Sequence, residues 1–316
     1  MHDEKSGRLF VRVSRLAEET SAVKSYELVS LDGTSLPRFT AGAHIAVDVP
    51  LVGYRHYSIA NHPWERQRYI IGVQRQENGR GGSAALHARM RVGAIVKIRA
   101  PRNDFPLASS GPHVLIAGGI GITPMLAMSY ELRMRRQDFH LWVCTRSPNH
   151  TPFRSQLAEL EASGLATLHY SASQGRIDVK ALVASAKPES HIYCCGPSSL
   201  VRTVADAIDH WPPERRHFES FSPPAGFDTD TPFSVTLRST GKRIDVKGSE
   251  TLLEALRREG VATDSSCEVG SCRTCRIRYI GGDPIHRDIA LSAEERRSQI
   301  LACVSRAKGT DMILDL

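Results

Sequence analysis

Four cysteines near the end of the chain have a spacing that suits metal chemistry. Cys267, Cys272 and Cys275 form the pattern C-x4-C-x2-C, and Cys303 follows after 27 further residues. Four thiolates at this spacing are typical of a plant-type [2Fe–2S] cluster, whereas structural zinc sites commonly use two separate C-x2–4-C pairs. The spacing therefore favours an iron–sulfur cluster, with a zinc site as the alternative.

The other three cysteines have different surroundings. Cys144 and Cys194 fall in apolar strand patterns, where a free cysteine behaves as a small buried hydrophobe. Cys195 begins the tripeptide CGP, which continues with Gly196 and Pro197 at the carboxyl end of a predicted strand. Because open α/β sheets bind ligands at this edge, the tripeptide is a candidate ligand contact.

Two segments in the first hundred residues carry groups suited to a phosphate. The sequence YRHYSIAN places Arg55, Tyr57 and Ser58 on a predicted strand, where a guanidinium can clamp a phosphate and an aromatic ring can cover a flat cofactor. The sequence GRGGSAALHARM has glycines before a helix that Ser83 opens, with N–H groups directed at an anion. Each segment alone also fits an ordinary strand or turn. The two together favour a flavin phosphate site.

A glycine-rich turn occurs in the sequence HVLIAGGIGITPMLAM, between a predicted strand and a predicted helix. Pro124 falls in the first helical turn, where proline is tolerated. Small residues in such a turn let a diphosphate approach the helix N-terminus. The turn does not match G-x-G-x-x-G, so the case for a dinucleotide here depends on the strand–turn–helix context.

The elements that must position these residues differ along the chain. Residues 8–105 contain alternating or β-branched runs separated by Gly, Pro and Asn, which predicts a small antiparallel barrel. From Pro112 onward strands alternate with helices, which predicts βαβ units and a mostly parallel sheet with helices on both faces. The first two predicted domains are accordingly residues 1–105 and 106–224.

A third domain is predicted to carry the four cysteines. Residues 222–232 are rich in Pro, Asp, Thr and Gly, which predicts a linker, assigned to 225–231. Beyond it, the sequence predicts a β-hairpin that turns at Thr240-Gly241 and a short helix that ends at Gly260. The C-terminal domain is therefore residues 232–316.

The composition narrows the class of partner. The chain of 316 residues has a net charge of +7, and its first 105 residues hold 16 Lys and Arg against 10 Asp and Glu. These charges are spread along strands, without the basic block or the stacking motif of a nucleic-acid binder, so we expect an anionic cofactor and no nucleic acid. The N-terminus lacks the apolar region of a secretory signal, and no apolar run approaches the roughly 20 residues of a membrane span. A cytoplasmic location without membrane contact is expected.

Taken together, these features resemble the phthalate dioxygenase reductase family, within the wider ferredoxin–NADP reductase superfamily. The motifs that carry the resemblance are Arg55-His56-Tyr57-Ser58, GRGGS at 79–83, GGIGITPM at 118–125, YCCGP at 193–197, HFESF at 217–221 and the four cluster cysteines. They span nearly the whole chain in the family's own domain order. The resemblance implies a multi-domain protein: an antiparallel β-barrel flavin domain, an α/β parallel-sheet nicotinamide domain and an α+β β-grasp ferredoxin domain.

The resemblance also implies cofactors and a function. Members with a C-terminal ferredoxin domain typically hold FMN, so FMN, NADH and a [2Fe–2S] cluster are expected. The implied function is the reductase component of a Rieske-type oxygenase, with an aromatic-carboxylate dioxygenase as the expected partner and a demethylase-type or amine-oxidising monooxygenase as the alternative. A hydride delivers two electrons whereas the oxygenase accepts one at a time, and the cofactors carry this chemistry, so no catalytic residue is predicted. We expect a monomer. A zinc-binding or redox-sensing interaction protein on the same scaffold is the alternative of a different class.

Carried over by position, the resemblance assigns a role to each motif. Arg55 and Ser83 are expected at the FMN phosphate, Phe221 over the flavin ring, and Thr123 where the flavin and nicotinamide rings meet. The full set of implied flavin contacts is Arg55, His56, Tyr57, Ser58, Gly72, Val73, Gln74, Arg80, Gly81, Gly82, Ser83 and Phe221. The implied nucleotide contacts are Gly119, Gly121, Thr123, Pro124, Arg146, Cys195, Gly196 and Pro197. The implied cluster ligands are Cys267, Cys272, Cys275 and Cys303.

Two positions depart from the family's pattern. The residue after the second cluster cysteine is commonly glycine in close relatives but is Arg273 here, which adds a charge beside the cluster. Ser147 lies in the region that reads the adenosine ribose, where several relatives have an acidic residue. Because an arginine near this ribose accommodates a 2′-phosphate, the Arg146-Ser147 pair leaves both NADH and NADPH open.

Overall fold

The computed structural model describes residues 8–77, 81–221 and 230–316. The described residues form two compact units. The first runs to Gly196 and includes residues 210–217, and the second contains residues 197–209 and those from 218 onward. Arg80 and residues 222–229, which make up most of the predicted linker segment, lie outside the described residues.

The N-terminal part of the first unit is a six-stranded antiparallel barrel. Its elements are β1 (Arg8–Glu18), β2 (Val23–Ser30), β3 (His44–Val49), β4 (Gly53–Ser58), β5 (Arg68–Gln74), α1 (Gly82–Arg89) and β6 (Ile95–Arg99). The strands pair in the order β4-β3-β6-β1-β2-β5, and a bridge between Ile59 and Ile71 joins the two ends. In β1, Val11 and Val13 are buried while Arg12 between them is exposed, as the two-residue period of a strand requires. The predicted antiparallel barrel is confirmed.

The rest of the first unit is built on parallel strands. The elements that follow the barrel in this unit are β7 (His113–Gly118), α2 (Ile122–Arg135), β8 (Phe139–Thr145), α3 (Arg154–Ala162), β9 (Ala166–Tyr170), α4 (Ser171–Gln174), α5 (Val179–Ala184) and β10 (His191–Gly196). They are followed along the chain by α6 (Ser198–Ala207), which belongs to the second unit, and by β11 (Arg216–Ser220), which begins in the first unit and ends in the second. β10, β7, β8 and β9 lie side by side in this order, all parallel. The chain therefore reverses its direction of progress across the sheet between β7 and β10. Such switch points are where α/β sheets bind ligands, beyond the carboxyl ends of the strands.

One apolar core joins the barrel to the parallel sheet within the first unit. Ala41 and Ala60 from the barrel pack with Phe105 and with the buried side of α2. At Gly42, which has a φ of +91°, an added Cβ would lie 1.9 Å from the carbonyl oxygen of Phe105. Only glycine fits where the two chain segments approach this closely.

The helix α2 is the longest of the described helices, with 14 residues. Its first eight residues are all buried, because the helix packs against the sheet and the shared core. In the described parts of the chain, none of the helices combines the length and the apolar composition that crossing a bilayer requires.

The second unit contains a mixed five-stranded sheet with one helix packed on it. Its elements are β12 (Phe233–Leu237), β13 (Arg243–Val246), α7 (Leu252–Arg258), β14 (Arg276–Ile285), β15 (Gln299–Leu301) and β16 (Arg306–Leu314), in the sheet order β13-β12-β16-β14-β15. β12 and β16 are parallel and the other pairs are antiparallel. Leu252 and Leu256 of α7 are buried in the core of this sheet.

The hairpin and the helix predicted for this domain are confirmed. β12 and β13 pair antiparallel across the turn at Thr240-Gly241. The hydroxyl of Thr251 accepts from the N–H of Glu254, whose carboxylate accepts from the N–H of Thr251, and this capping box begins α7. Gly260, with a φ of +76°, follows the C-cap and ends the helix in the left-handed conformation that glycine favours.

A buried arginine, Arg306, connects the loops of the second unit. It is 1% exposed, and its guanidinium lies 3.6 Å from the carboxylate of Asp230. The guanidinium donates to three main-chain carbonyls, those of Glu250 (2.6 Å), Thr231 (3.0 Å) and Lys247 (3.1 Å). The charge is therefore held by hydrogen bonds in a place where an unpaired ion would be costly.

We predict that Arg306→Ala destabilises the second unit, because three buried carbonyls lose their donor. Loss of such a buried charged partner costs about 3 kcal/mol, which lowers the melting temperature of a domain of this size by roughly 15 °C. Differential scanning calorimetry of the full chain measures the shift. The control is Arg243→Ala, which removes an exposed arginine on β13 and should shift melting by less than about 2 °C. Equal shifts for the two variants would contradict the assigned role.

Candidate functional site

Arg55 lies across the N-terminus of α1. A Cβ added at Gly82 would lie 2.9 Å from both Cγ and Nε of Arg55, so the arginine side chain runs directly over the first helical residue. The N-cap residue Gly81 has a φ of +78°, and no side chain among the described residues caps the helix. A guanidinium beside N–H groups that no side chain caps is a site for a phosphate.

Two contacts fix this helix beside the end of β5. The Ser83 hydroxyl oxygen accepts from the N–H of Gln76 at 3.0 Å, and His87 Nε2 lies 2.8 Å from the carbonyl oxygen of Val73. Ser83 keeps its O–H as a donor, since only its oxygen is engaged in that contact. The predicted contacts Val73 and Ser83 are therefore brought to the same side of the barrel.

The four residues of the Arg-His-Tyr-Ser motif do not all face one way. Successive side chains of β4 alternate between its faces, so Arg55 and Tyr57 share one face while His56 and Ser58 share the other. The ring of His56 stacks on His44 with centroids 4.7 Å apart, and Ser58 is buried. A group bound over Arg55 and Tyr57 would meet only the main chain of the other two. Burial raises the pKa of the Tyr57 phenol well above its usual value, so it stays protonated.

β5 meets the glycine-rich turn at Gly72. A Cβ added at Gly72 would lie 2.8 Å from Cδ1 of Ile120, 2.9 Å from Cγ2 of Thr123 and 3.0 Å from Cε2 of Phe153. The side chains of Ile120, Thr123 and Phe153 therefore pack directly against the barrel backbone at Gly72. This junction brings the predicted flavin strand to Thr123, the residue expected where two flat rings meet.

The glycine-rich turn also packs against the carboxyl end of β10. A Cβ at Gly121 would lie 2.1 Å from the carbonyl oxygen of Cys195, and one at Gly196 would lie 2.8 Å from Cα of Gly118. Gly119, with a φ of +54°, faces open space. Tight main-chain packing on one side and open space on the other, at the switch point between β7 and β10, suit a bound diphosphate.

The remaining predicted nucleotide contacts lie in different places. Thr123 is buried and its hydroxyl donates to the carbonyl of Ile120 at 3.0 Å, and Pro124 lies in the first turn of α2. Pro197 is the N-cap residue of α6, in the second unit. Phe221, which follows β11 in that unit, is 40% exposed. The roles of Pro197 and Phe221 at a nucleotide and a flavin stay predictions.

The four clustered cysteines form two pairs within the second unit. The N–H of Cys267 donates to Sγ of Cys272 at 3.4 Å, and the thiols of Cys275 and Cys303 are near enough for each to shift the pKa of the other. Across the described ranges, no three His, Cys, Asp or Glu side chains converge so as to hold a single metal ion. Two pairs suit a binuclear cluster with two thiolates on each iron better than one tetrahedral zinc ion.

The proximity of the two thiols in each pair shifts their pKa values in opposite directions. Within the first pair, the pKa of Cys272 is lowered by its neighbour and that of Cys267 is raised. Within the second pair, the pKa of Cys275 is lowered and that of Cys303 is raised. The opposite shifts show that the members of each pair interact directly.

The loop between the first two cysteines directs main-chain donors at sulfur. The N–H groups of Val269 and Ser271 lie 3.5 and 3.4 Å from Sγ of Cys267. Such bonds stabilise the negative charge of a ligating thiolate. Gly270 has a φ of +82°, and an added Cβ would lie 2.8 Å from Cγ2 of Val304. The loop therefore requires glycine at this position.

Arg273 adopts a left-handed conformation, with a φ of +66°, which glycine adopts at lower cost than arginine. Its Nη1 and Nη2 lie 3.2 and 3.1 Å from the two carboxylate oxygens of Glu295, and its Nε donates to the carbonyl of Ala290 at 2.9 Å. The added charge is thus paired with Glu295. The arginine fixes the cysteine loop to the segment that contains Ala290 and Glu295.

Two residues of these sites carry no signal in the sequence. Phe153 packs at Gly72 in a left-handed conformation, with its N–H held by the carboxylate of Glu19 at 2.9 Å. Asp288 is buried, and its Cα would lie 3.1 Å from a Cβ at Gly270. Both residues contact positions that are distant along the chain, so a local sequence pattern does not reveal them.

Comparisons with known proteins agree with this arrangement. Residues 235–308 match the family model of the 2Fe-2S iron-sulfur cluster binding domain, and residues 115–206 match that of the oxidoreductase NAD-binding domain. The chain is 40% identical over 311 residues to the phthalate 4,5-dioxygenase oxygenase reductase subunit of Pseudomonas putida, with 97% of this chain and 96% of the relative covered. It is 38% identical over 323 residues to the tert-butanol monooxygenase / tert-amyl alcohol desaturase reductase subunit of Aquincola tertiaricarbonis, with 98% and 96% covered.

A solved structure extends the likeness to the three-dimensional level. It is that of a phthalate dioxygenase reductase, described as a modular structure for electron transfer from pyridine nucleotides to [2Fe–2S]. The match covers 100% of both chains, with a TM-score of 0.75 and 37% identity. The predicted fold class and the predicted [2Fe–2S] cofactor are confirmed, while the assignment of individual ligands stays a prediction.

We predict that Arg55→Ala weakens flavin binding, because the phosphate loses its guanidinium. Loss of one charge-assisted contact raises the dissociation constant for FMN about 10- to 100-fold. Fluorescence titration of flavin-depleted protein with FMN measures the constant. Arg12→Ala, which removes an exposed arginine from β1, is the matched control and should leave it unchanged. A similar constant for both variants would refute the phosphate role.

We also predict that Gly270→Ala impairs the cluster, because the new Cβ would crowd Val304 and shift the N–H groups directed at Cys267. Gly309→Ala is the matched control, since Gly309 has a similar φ of +85° but open space around an added Cβ. Iron and acid-labile sulfide per chain are measured for both. We expect Gly270→Ala to retain less than about half of the iron and Gly309→Ala to retain nearly all.

Proposed function

Because the chain belongs to the phthalate dioxygenase reductase family, we propose that it is the reductase component of a multicomponent Rieske-type oxygenase. It is an NADH-dependent oxidoreductase that passes electrons from NADH through FMN to a [2Fe–2S] cluster and on to the oxygenase. The observation that carries the proposal is the junction at Gly72, where the flavin strand touches Thr123 of the nucleotide turn. The paired cysteines supply the exit for single electrons.

The residues of the first unit bind FMN and the nicotinamide nucleotide and orient them. When bound, FMN takes a hydride from NADH, and the cluster carries electrons one at a time. Arg55 and the first turn of α1 would hold the FMN phosphate, and the open space at Gly119 would admit the nucleotide diphosphate, while Gly121 and Gly196 let the turn pack on β10. The absence of a side chain at Gly72 lets Thr123 of the turn pack directly on the flavin strand. No described side chain has to transfer a proton for this reaction.

The residues of the second unit hold the cluster. Cys267, Cys272, Cys275 and Cys303 would hold the [2Fe–2S] cluster, with one close pair of thiolates available to each iron. The N–H groups of the loop stabilise sulfur charge, and the bond between Arg273 and Glu295 keeps the loop in its left-handed conformation.

The partner that we propose is an aromatic-carboxylate dioxygenase. The support for it is the relative from Pseudomonas putida, whose name specifies a phthalate dioxygenase. The second candidate is a demethylase-type or amine-oxidising monooxygenase. It is supported by relatives named vanillate O-demethylase oxidoreductase, 37% identical, and carnitine monooxygenase reductase subunit, 36% identical. We propose further that the reductase is a cytoplasmic monomer that forms a transient complex with the oxygenase. The partner is identified by adding each purified oxygenase to the NADH-dependent reduction of cytochrome c. The oxygenase that is the partner takes electrons from the reductase and slows cytochrome c reduction.

The electron path predicts different effects for two cysteines. In Cys303→Ser the cluster loses a ligand, so NADH-dependent reduction of cytochrome c falls at least about tenfold, while reduction of ferricyanide, which accepts electrons from flavin, changes less than about twofold. Cys144→Ser replaces a thiol outside the cluster and leaves both rates unchanged. A colourless wild-type protein that contains zinc, or a flavin that NADH fails to bleach, would overturn the proposed function.

A further inference from the structure

The carboxyl ends of β8 and β9 form one edge of the parallel sheet. Thr145 pairs with Tyr170 in register, and the carbonyl of Arg146 accepts from the N–H of Ala172 at 3.0 Å. Arg146 thus leaves the sheet about 25 residues after the glycine-rich turn, on the strand next to β7. In nucleotide-binding sheets of this strand order, the residues at that place read the adenosine ribose.

The charges at this edge are of one sign. Neither residues 145–158 nor residues 166–177 contain an Asp or a Glu. The basic or imidazole residues in these two segments are Arg146, His150, Arg154, His169 and Arg176. A site that selects NADH commonly uses an acidic residue to accept from the ribose 2′-hydroxyl, and a site that takes NADPH uses an arginine. Neither of these two segments supplies that acid.

Arg146 is the group best placed to take an anion. It is exposed, and among the described residues its guanidinium has neither a hydrogen bond nor an ion pair. Arg154, by contrast, is held by Glu161 at 3.2 Å and by the Tyr170 hydroxyl at 2.9 Å. The N–H groups of the Arg146 guanidinium are therefore available to donate to two oxygens of a phosphate.

The turn after Arg146 is held by hydroxyl contacts. The Thr145 and Thr151 hydroxyls lie 2.8 Å apart, and Thr151 also donates to the carbonyl of Ser147 at 3.1 Å. The Ser147 hydroxyl lies 2.8 Å from Nδ1 of His150. When the hydroxyl donates to Nδ1, the neutral imidazole carries its proton on Nε2, so that His150 offers a further N–H donor on the turn that follows Arg146.

Resting on the proposed function, we propose that Arg146 binds the 2′-phosphate of NADPH and that this reductase oxidises NADPH as well as NADH. Arg146 is a specificity-determining residue and takes no part in hydride transfer. Arg146 contributes to the binding of NADPH and not to the chemical step. Its loss therefore raises KM for NADPH without changing kcat.

The test compares both nucleotides with the FMN- and cluster-loaded protein. For the wild type we expect kcat/KM for NADPH within about tenfold of that for NADH. For Arg146→Ala we expect a 10- to 100-fold loss of kcat/KM with NADPH, about the effect of one charge-assisted hydrogen bond, and less than about threefold with NADH. The control is Arg136→Ala, which removes an exposed arginine at the C-terminal end of α2 and should change neither value.

Binding measured without turnover separates this proposal from the function on which it rests. By calorimetry, adenosine 2′,5′-bisphosphate should bind the wild type about tenfold more tightly than 5′-AMP, and the difference should vanish in Arg146→Ala. Equal binding of the two compounds overturns the proposal. So does an equal loss for both nucleotides in Arg146→Ala, which indicates that the arginine contacts the adenine. If neither nucleotide reduces the flavin, the proposed function fails, and the bisphosphate measurement still decides the role of Arg146.

Discussion

The structure of the first unit depends on one constraint, which is that the glycine-rich turn has to pack closely against both the barrel and the carboxyl end of β10. An added Cβ at Gly72 of the barrel would lie 2.8 to 3.0 Å from the side chains of Ile120, Thr123 and Phe153, and one at Gly121 would lie 2.1 Å from the carbonyl oxygen of Cys195. Both positions therefore need glycine. The bridge between Ile59 and Ile71 closes the barrel next to Gly72, and the core that includes Phe105 fixes the barrel on the sheet. The interior is close-packed, so it keeps this spacing constant.

The cysteine loop meets a different requirement, which is to direct N–H groups at sulfur. It does so with residues in the left-handed region, including Glu268 and Arg273, at a cost of about 1 kcal/mol for each. Ion pairs offset that cost, since Arg257 holds Glu268 at 3.0 Å and Glu295 holds Arg273 at 3.1 Å. The unusual arginine of this chain is therefore part of the support of the loop, and its charge is already paired.

The sequence predicts those parts of the fold and sites that depend on local spacing. The cysteine pattern, the strand–turn–helix with Pro124 and the capped helix α7 all follow from neighbours along the chain. The pairing of Arg273 with Glu295 was not predictable, because the contact joins residues brought together only by the fold. Alternation along β4 turns Ser58 away from Arg55, a consequence that follows once the strand is known. Phe153 was missed for the same reason as Glu295, since its partner Gly72 lies far away along the chain.

Shifted pKa values commonly mark catalytic sites, but in the first unit the most shifted histidines are buried in packed ring pairs. Burial lowers the pKa of His44 to about 4, and its ring stacks on His56, on the face of β4 opposite Arg55. Burial lowers the pKa of His113 and of His217 to about 4, and these rings stack with His191 and Tyr193 near the amino ends of β7 and β10. That edge of the sheet is opposite the glycine-rich turn, so these neutral rings are packing groups. The contrast has a chemical reason, since hydride transfer between bound cofactors requires no side-chain acid or base. Selectivity in such a site is left to shape and fixed charge, and Arg146 supplies the fixed charge at the carboxyl edge.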